Sequence, residues 1–271
     1  MSFPFNPIQD KQDEVRAQYQ DAEKLNVRIS LHEQFSINPY GWQHWVFDQL
    51  ALPPVCKVLE LGCGTGNLWL DNLKRIPTGW DITLSDFSEG ILKVARCSLE
   101  GQRPFQFRQI DACMTPLAFE TEQFDAVIAN HMLFYVPNRP ALLAEIRRVL
   151  KCEGHLFATT TGQKHLWEMA DIVSHFDAGM INWGSVANPF TLENGAAQLS
   201  PWFANIDLRR YEDALMVREA GPLVDYILSG WKSMPETWCE DFKKFVETEM
   251  EECGGVIYVT KDSGMFVAEK N

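Results

Sequence analysis

Three glycines at alternate positions, Gly62, Gly64 and Gly66, follow the apolar run Val58-Leu59-Glu60-Leu61. Glycine permits positive φ and lets another group approach the backbone with no Cβ in the way. A strand that turns tightly into a helix leaves free N–H groups at the helix start, and these can hold an anion. The spacing departs from two familiar phosphate cradles. In G-x-G-x-x-G the third glycine comes one residue later, where this chain has Asn67, and the Gly-Lys-Ser/Thr ending of a P-loop is missing. About 20 residues further on, Ile82-Thr83-Leu84-Ser85 ends in Asp86, the separation at which a Rossmann-type fold places a ribose-binding acid.

These residues need a parallel sheet to bring them together, and the chain alternates accordingly. Strands are expected near 56–61, 80–85, 105–110, 124–130 and 154–161, with helices near 67–75, 88–100 and 139–150. Apolar residues at 142, 143, 146, 149 and 150 give the last helix one buried face, and Lys151 to Gly154 reads as its terminus. In such a sheet ligands sit beyond the carboxyl ends of the strands, where Glu60, Gly62, Gly64, Gly66, Asp86, Asp111 and Asn130 all fall.

Taken together, the motifs resemble the class I S-adenosylmethionine (SAM) dependent methyltransferases. The likeness is carried by Glu60-Leu61-Gly62-Cys63-Gly64-Thr65-Gly66, by Asp86-Phe87-Ser88-Glu89-Gly90-Ile91-Leu92 and by Asp111 after a third strand. It continues with Phe124-Asp125-Ala126-Val127-Ile128-Ala129-Asn130-His131 and with Leu150-Lys151-Cys152-Glu153-Gly154 before a fifth strand. It is close over roughly residues 55–161 and loose elsewhere. The resemblance implies a Rossmann-like, doubly wound α/β fold. Its sheet would be seven-stranded and mostly parallel, with an antiparallel last strand at 265–268 and a helical cap.

The resemblance also implies roles. Gly62 and Gly64 would approach the methionine part of SAM, and Glu60 and Cys63 would also belong to the cofactor site. Asp86 would accept from both ribose hydroxyls, and Asp111 with Ala112 would flank the adenine. Phe87 would pack on that ring or serve as plain core. Asn130 and His131 follow strand four, where the methyl group meets its acceptor in this family. Base-amino methyltransferases carry an Asn/Asp-Pro-Pro-aromatic motif there; this chain has Asn130-His131-Met132-Leu133, which disfavours that activity. His131 and Tyr135 are the catalytic candidates, His131 as a general base or as a wall of the pocket. Tyr19 and Arg28 would close over SAM, with Arg28 facing the cofactor carboxylate or making a surface salt bridge. Tyr40, Trp42, His165 and Trp183 are candidates for lining the acceptor pocket or for simple core. The product would be S-adenosylhomocysteine, and no ligand spacing for a metal is found.

Composition bounds the reading. The chain has 271 residues and a net charge of −13, a field that repels phosphate backbones and argues against a nucleic-acid substrate. No apolar run approaches the roughly 18 residues of a membrane span, and the start lacks the pattern of a secretory signal. The seven cysteines are scattered, with no C-x-x-C pair, as suits reduced thiols in a cytoplasm.

Four segments are expected: an N-terminal helical lid over 1–52, the SAM-binding core over 53–161, a helical insertion over 162–204 covering the acceptor pocket, and closing strands and helices over 205–271. Within these, helices are expected near 11–29, 42–50, 165–179, 191–199, 222–231 and 235–251. A sixth strand is expected near 206–211, with 215–217 as its possible continuation. Two closing strands, 256–260 and 265–268, would be joined by a turn at Asp262-Ser263-Gly264. The expected activity is SN2 methyl transfer to an O, N or C atom of a small molecule. The alternatives are a protein or RNA methyltransferase, a catalytically silent SAM-binding regulator, and a nicotinamide-dependent oxidoreductase, which the early third glycine disfavours. Oligomeric state is not legible.

Overall fold

The computed structural model describes residues 22–180, 189–230 and 234–270. Two helices lead in, α1 (Ala22–Phe35) and α2 (Trp42–Gln49). The alternating part follows as β1 (Val55–Leu61), α3 (Asn67–Asn72), β2 (Gly79–Asp86), α4 (Glu89–Leu99), β3 (Gln106–Gln109), β4 (Phe124–Ala129), α5 (Arg139–Val149) and β5 (Leu150–Thr161). Then come α6 (Trp167–Phe176), α7 (Gly195–Leu199), β6 (Ala204–Val217), α8 (Ala220–Leu228), α9 (Glu236–Glu252) and β7 (Ile257–Glu269).

The seven strands form one sheet in the order β3-β2-β1-β4-β5-β7-β6. Strands β1 to β5 pair in parallel, and β7 runs antiparallel to both β5 and β6. Side chains alternate between the two faces of β4 as the period of two requires, and both faces are buried. Val127 and Ala129 face a core built with Leu142, Leu143 and Ile146 of α5, while Ala126 and Ile128 face the opposite core with Trp69 and Leu92. A third core gathers α1, α6, α8 and α9 over the far ends of β6 and β7, with Leu31, Met169, Leu223 and Phe242 at its centre.

Four expectations change. Strand β7 is continuous through Asp262-Ser263-Gly264, so no turn forms there. Gly264 is small for another reason: a Cβ would lie 2.5 Å from the carbonyl oxygen of Arg209 on β6. Strand β6 is likewise one ribbon of 14 residues. Strand β5 starts at Leu150, so Lys151 to Gly154 is strand rather than helix terminus, with a register shift against β4 and Glu153 at φ 62°. Helix α1 runs on to Phe35, because Ile29 to Phe35 holds no Gly or Pro to break it. Among the described residues no helix is long and apolar enough to cross a membrane.

Candidate functional site

The carboxyl ends of β1, β2 and β4 open on one side of the sheet, over a cavity of about 280 Å³. The glycine loop forms its floor. The N–H of Cys63 donates to the Ser85 carbonyl at 2.8 Å, and the Ser85 hydroxyl donates to the Glu60 carbonyl at 2.8 Å, tying the loop to β2. Gly62 has φ +70° and a Cβ there would stand 3.1 Å from Met132 Cβ, so both conformation and space demand glycine.

Two carboxylates flank the loop. Asp86, at the tip of β2 and 6% exposed, accepts from the N–H of Gly64 (3.1 Å) and of Ser88 (3.0 Å). Burial raises its pKa, and those N–H groups together with that of Phe87 oppose the rise. Glu60 is 1% exposed and accepts from Trp69 Nε1 (2.6 Å) and Asn130 Nδ2 (3.2 Å). Burial outweighs both bonds and pushes its pKa up to about 7, with Asp86 adding to the rise. Among the described residues no cation pairs with either carboxylate within 4 Å.

Asp111 closes a turn, with Oδ1 accepting from the Cys113 N–H at 2.9 Å. Beyond β4, Asn130 bonds Glu60, and His131 takes the left-handed backbone at φ 47°, a strained conformation for a non-glycine residue. The His131 ring lies 5.1 Å from the Trp42 ring, centroid to centroid. Burial, then the nearby Lys261, pushes its pKa down to about 4, so the imidazole is neutral at ordinary pH.

Most of the singled-out residues line this cavity: Glu60, Gly62, Cys63, Gly64, Asp86, Phe87, Asp111, Ala112, Asn130, His131, Tyr135 and Trp42. Two do not. Tyr40 is 47% exposed and donates its hydroxyl to Asp48 Oδ2 at 2.5 Å, on the outer side of α2. His165 is half-buried next to His32, with ring centroids 6.2 Å apart. Tyr19, Trp183 and the side chain of Arg28 lie outside the described residues. Sequence reasoning passed over further lining residues, among them Ile29, Gln43, Ile110 and Met132. Aliphatic and amide side chains in loops and lead-in helices carry no chemical signature to find them by.

Known proteins resemble the chain in sequence and in fold. Residues 59–158 match the methyltransferase domain family. The chain is 31% identical to a demethylmenaquinone methyltransferase of Lactobacillus johnsonii over 144 residues, 52% of this chain and 56% of that protein. It is 28% identical to a ubiquinone biosynthesis O-methyltransferase of Xanthomonas oryzae over 60% of this chain and 66% of that one. The first of these matches spans about half of its relative's length. In fold, the chain overlays a phosphoethanolamine N-methyltransferase 2 of Haemonchus contortus in complex with S-adenosyl-L-methionine, with TM-score 0.59 and 17% identity over 98% of this chain and 60% of that one. Over residues 59–158 the chain is therefore similar to a methyltransferase domain.

Proposed function

We propose that this chain is a SAM-dependent methyltransferase that transfers a methyl group to an O, N or C atom of a small-molecule acceptor. One observation carries the reading: two buried carboxylates, Glu60 and Asp86, with no cation of the described residues within 4 Å, flank a glycine loop in a single cavity. A cationic nucleoside fits that arrangement. The ammonium of SAM matches Glu60, and the two ribose hydroxyls match the acceptor oxygens of Asp86. Gly62 and Gly64 admit the methionine part, and Asp111, Ala112 and Phe87 form the adenine end. When bound, SAM supplies a methyl group already activated on a sulfonium.

The chain's own work is then positioning, alignment and exclusion of water. His131, neutral and beside Trp42, faces the place where an acceptor proton has to leave, and Tyr135 borders the same end. Ile29, Trp42 and Gln43 of the lead-in helices line the cavity. The quinone-related names of the curated relatives and the charge of −13 favour a small, non-nucleic-acid acceptor in the cytoplasm.

Calorimetric titration of SAM and S-adenosylhomocysteine into wild type and Asp86→Ala tests the reading. The expected result is micromolar binding that weakens at least about tenfold in the variant. Wild type that binds neither compound but binds NADH would overturn it in favour of an oxidoreductase.

A further inference from the structure

Trp69 lies on α3, just past the glycine loop, and is fully buried. Its ring packs in the core edge-on to Phe47 of α2, at 6.5 Å between centroids, and tilted on Phe105 at 6.2 Å. It is not one of the residues that line the cavity. Its Nε1 nevertheless donates to Glu60 Oε2 at 2.6 Å. Asn130, which does line the cavity, donates to the other oxygen, Oε1, at 3.2 Å. Oε2 is thus the core side of the Glu60 carboxylate and Oε1 its cavity side.

Packing alone does not explain a carboxylate as the partner of this indole. A buried indole N–H needs an acceptor, and a backbone carbonyl is enough: Trp80 Nε1 donates to the Pro53 carbonyl at 2.8 Å. Trp69 instead pairs with a carboxylate that is 1% exposed and has no cation of the described residues within 4 Å. A buried charge without a counter-charge is costly. The pair therefore does little for the empty fold. It suits a fold that receives the counter-charge from a ligand.

The indole also decides where a proton on Glu60 can sit. Its N–H donates and cannot accept, so the bond to Oε2 requires that oxygen to be bare. A protonated Glu60 then carries its proton on Oε1, at the cavity side, and this proton leaves to solvent when a ligand ammonium pairs with the carboxylate. An N–H aimed at a carboxylate favours its ionised form, here against burial and against the nearby Asp86. The other titratable neighbour is the Cys63 thiol, which burial keeps neutral. We propose that Trp69 is a positioning residue for the amino-acid end of the cofactor: its indole N–H fixes Glu60 Oε2 on the core side and so presents Oε1 to the ligand ammonium. The proposal rests on the methyltransferase reading of the cavity.

The test uses the full chain and two probes. S-adenosylhomocysteine carries the ammonium; 5′-methylthioadenosine has the nucleoside and the sulfur without the amino acid. Trp69→Phe should bind S-adenosylhomocysteine at least about tenfold more weakly near pH 7, and 5′-methylthioadenosine within about twofold of wild type. The pH at which S-adenosylhomocysteine affinity rises should move up by about one unit, because Glu60 loses a donor that favours its charge. In a Glu60→Gln background the same change should alter that affinity by less than about threefold, since no proton is left to place. A tryptophan isostere with sulfur in place of the indole N–H keeps the shape of the ring and should reproduce the loss; it replaces Trp69→Phe if phenylalanine prevents folding. A merely structural role predicts that both probes weaken together with no movement of the pH profile. That result, or unchanged S-adenosylhomocysteine affinity in a variant without the N–H, overturns the role of Trp69 and leaves the methyltransferase reading standing. Wild type that binds neither probe overturns both.

Discussion

Glu60 and the backbone of His131 are joined by hydrogen bonds in series. Asn130 Nδ2 donates to Glu60 Oε1 at 3.2 Å, the Thr159 hydroxyl donates to Asn130 Oδ1 at 3.1 Å, and the His131 N–H donates to Thr159 Oγ1 at 2.9 Å. The relay crosses from β1 to β5 under the cavity and holds His131 in its left-handed conformation. On the proposed reading, the SAM end and the acceptor end of the site are thus built on one polar frame.

Thr159→Val tests that frame. Valine keeps the volume but leaves the His131 N–H and the Asn130 carbonyl unpaired at a fully buried position. Stability should fall by roughly 2–6 kcal/mol, from two groups at about 1–3 kcal/mol each. Turnover should fall at least about tenfold with little change in SAM affinity. Thermal unfolding, calorimetry and a methyl-transfer assay separate these effects. Unchanged turnover in a folded variant would show that His131 needs no support from Thr159.

Glu60→Gln should trade binding for stability. A carboxylate raised from 4.5 to about 7 by burial resists ionisation in the empty fold. In the unfolded chain it ionises freely, so its contribution to stability is fully present at acid pH and is lost as pH rises through about 7. At roughly pH 8 the neutral amide should stabilise the empty protein by about 1–3 kcal/mol, since each unit is about 1.4 kcal/mol. SAM affinity should fall in the variant. In wild type that affinity should rise with pH through about 7, because the bound ammonium favours the ionised form, and the variant should lose this dependence. Pairing SAM titrations over pH with melting curves checks both halves.

Gly62→Ala should cost about 1–3 kcal/mol, from φ +70° and from contact with Met132 Cβ at 3.1 Å. SAM binding should weaken with it, as the loop turns away from its present path. Adding Met132→Ala relieves the contact but not the dihedral strain, so stability should recover only in part. Full recovery in the double variant would show that crowding alone makes glycine necessary.

Residues at the ends of short, strongly apolar strands were legible because a buried strand writes its register in sequence. Val58 and Leu59 announce where Glu60 and Gly62 must fall, and Ala126 to Ala129 does the same for Asn130 and His131. The long ribbons β6 and β7 were harder. Their mixed burial hides their continuity, and Gly264 carries the look of a turn while serving a close approach of two backbones. Lys261, Asp213 and Tyr211 come together only through that pairing, with Tyr211 opposite Ser263 and Asp213 opposite Lys261. No local spacing announces a cluster assembled by register between distant strands. Tyr40 shows the converse: an aromatic residue near the core in sequence faces outward because Asp48, eight positions on, takes its hydroxyl.

Three half-buried histidines set the behaviour in acid. Burial pushes His32 down to about 3, His131 to about 4 and His165 well below the ordinary 6.5. Unfolded, all three take up protons as pH drops through about 6.5, whereas the folded state refuses them, so their contribution to stability falls with pH between about 6.5 and 4. Glu60 acts with the opposite sign, since over most of that range its folded form holds a proton that the unfolded chain releases. Three against one leaves a net of about two protons, or a slope of about 3 kcal/mol per pH unit. Thermal unfolding at about pH 7, 6 and 5 should therefore show a steep loss of stability. His32→Phe should roughly halve the slope by reducing the net to about one proton. A melting temperature that stays level from about pH 6.5 to 5 would mean that these imidazoles are charged in the folded protein, with water reaching the cluster beside Trp42.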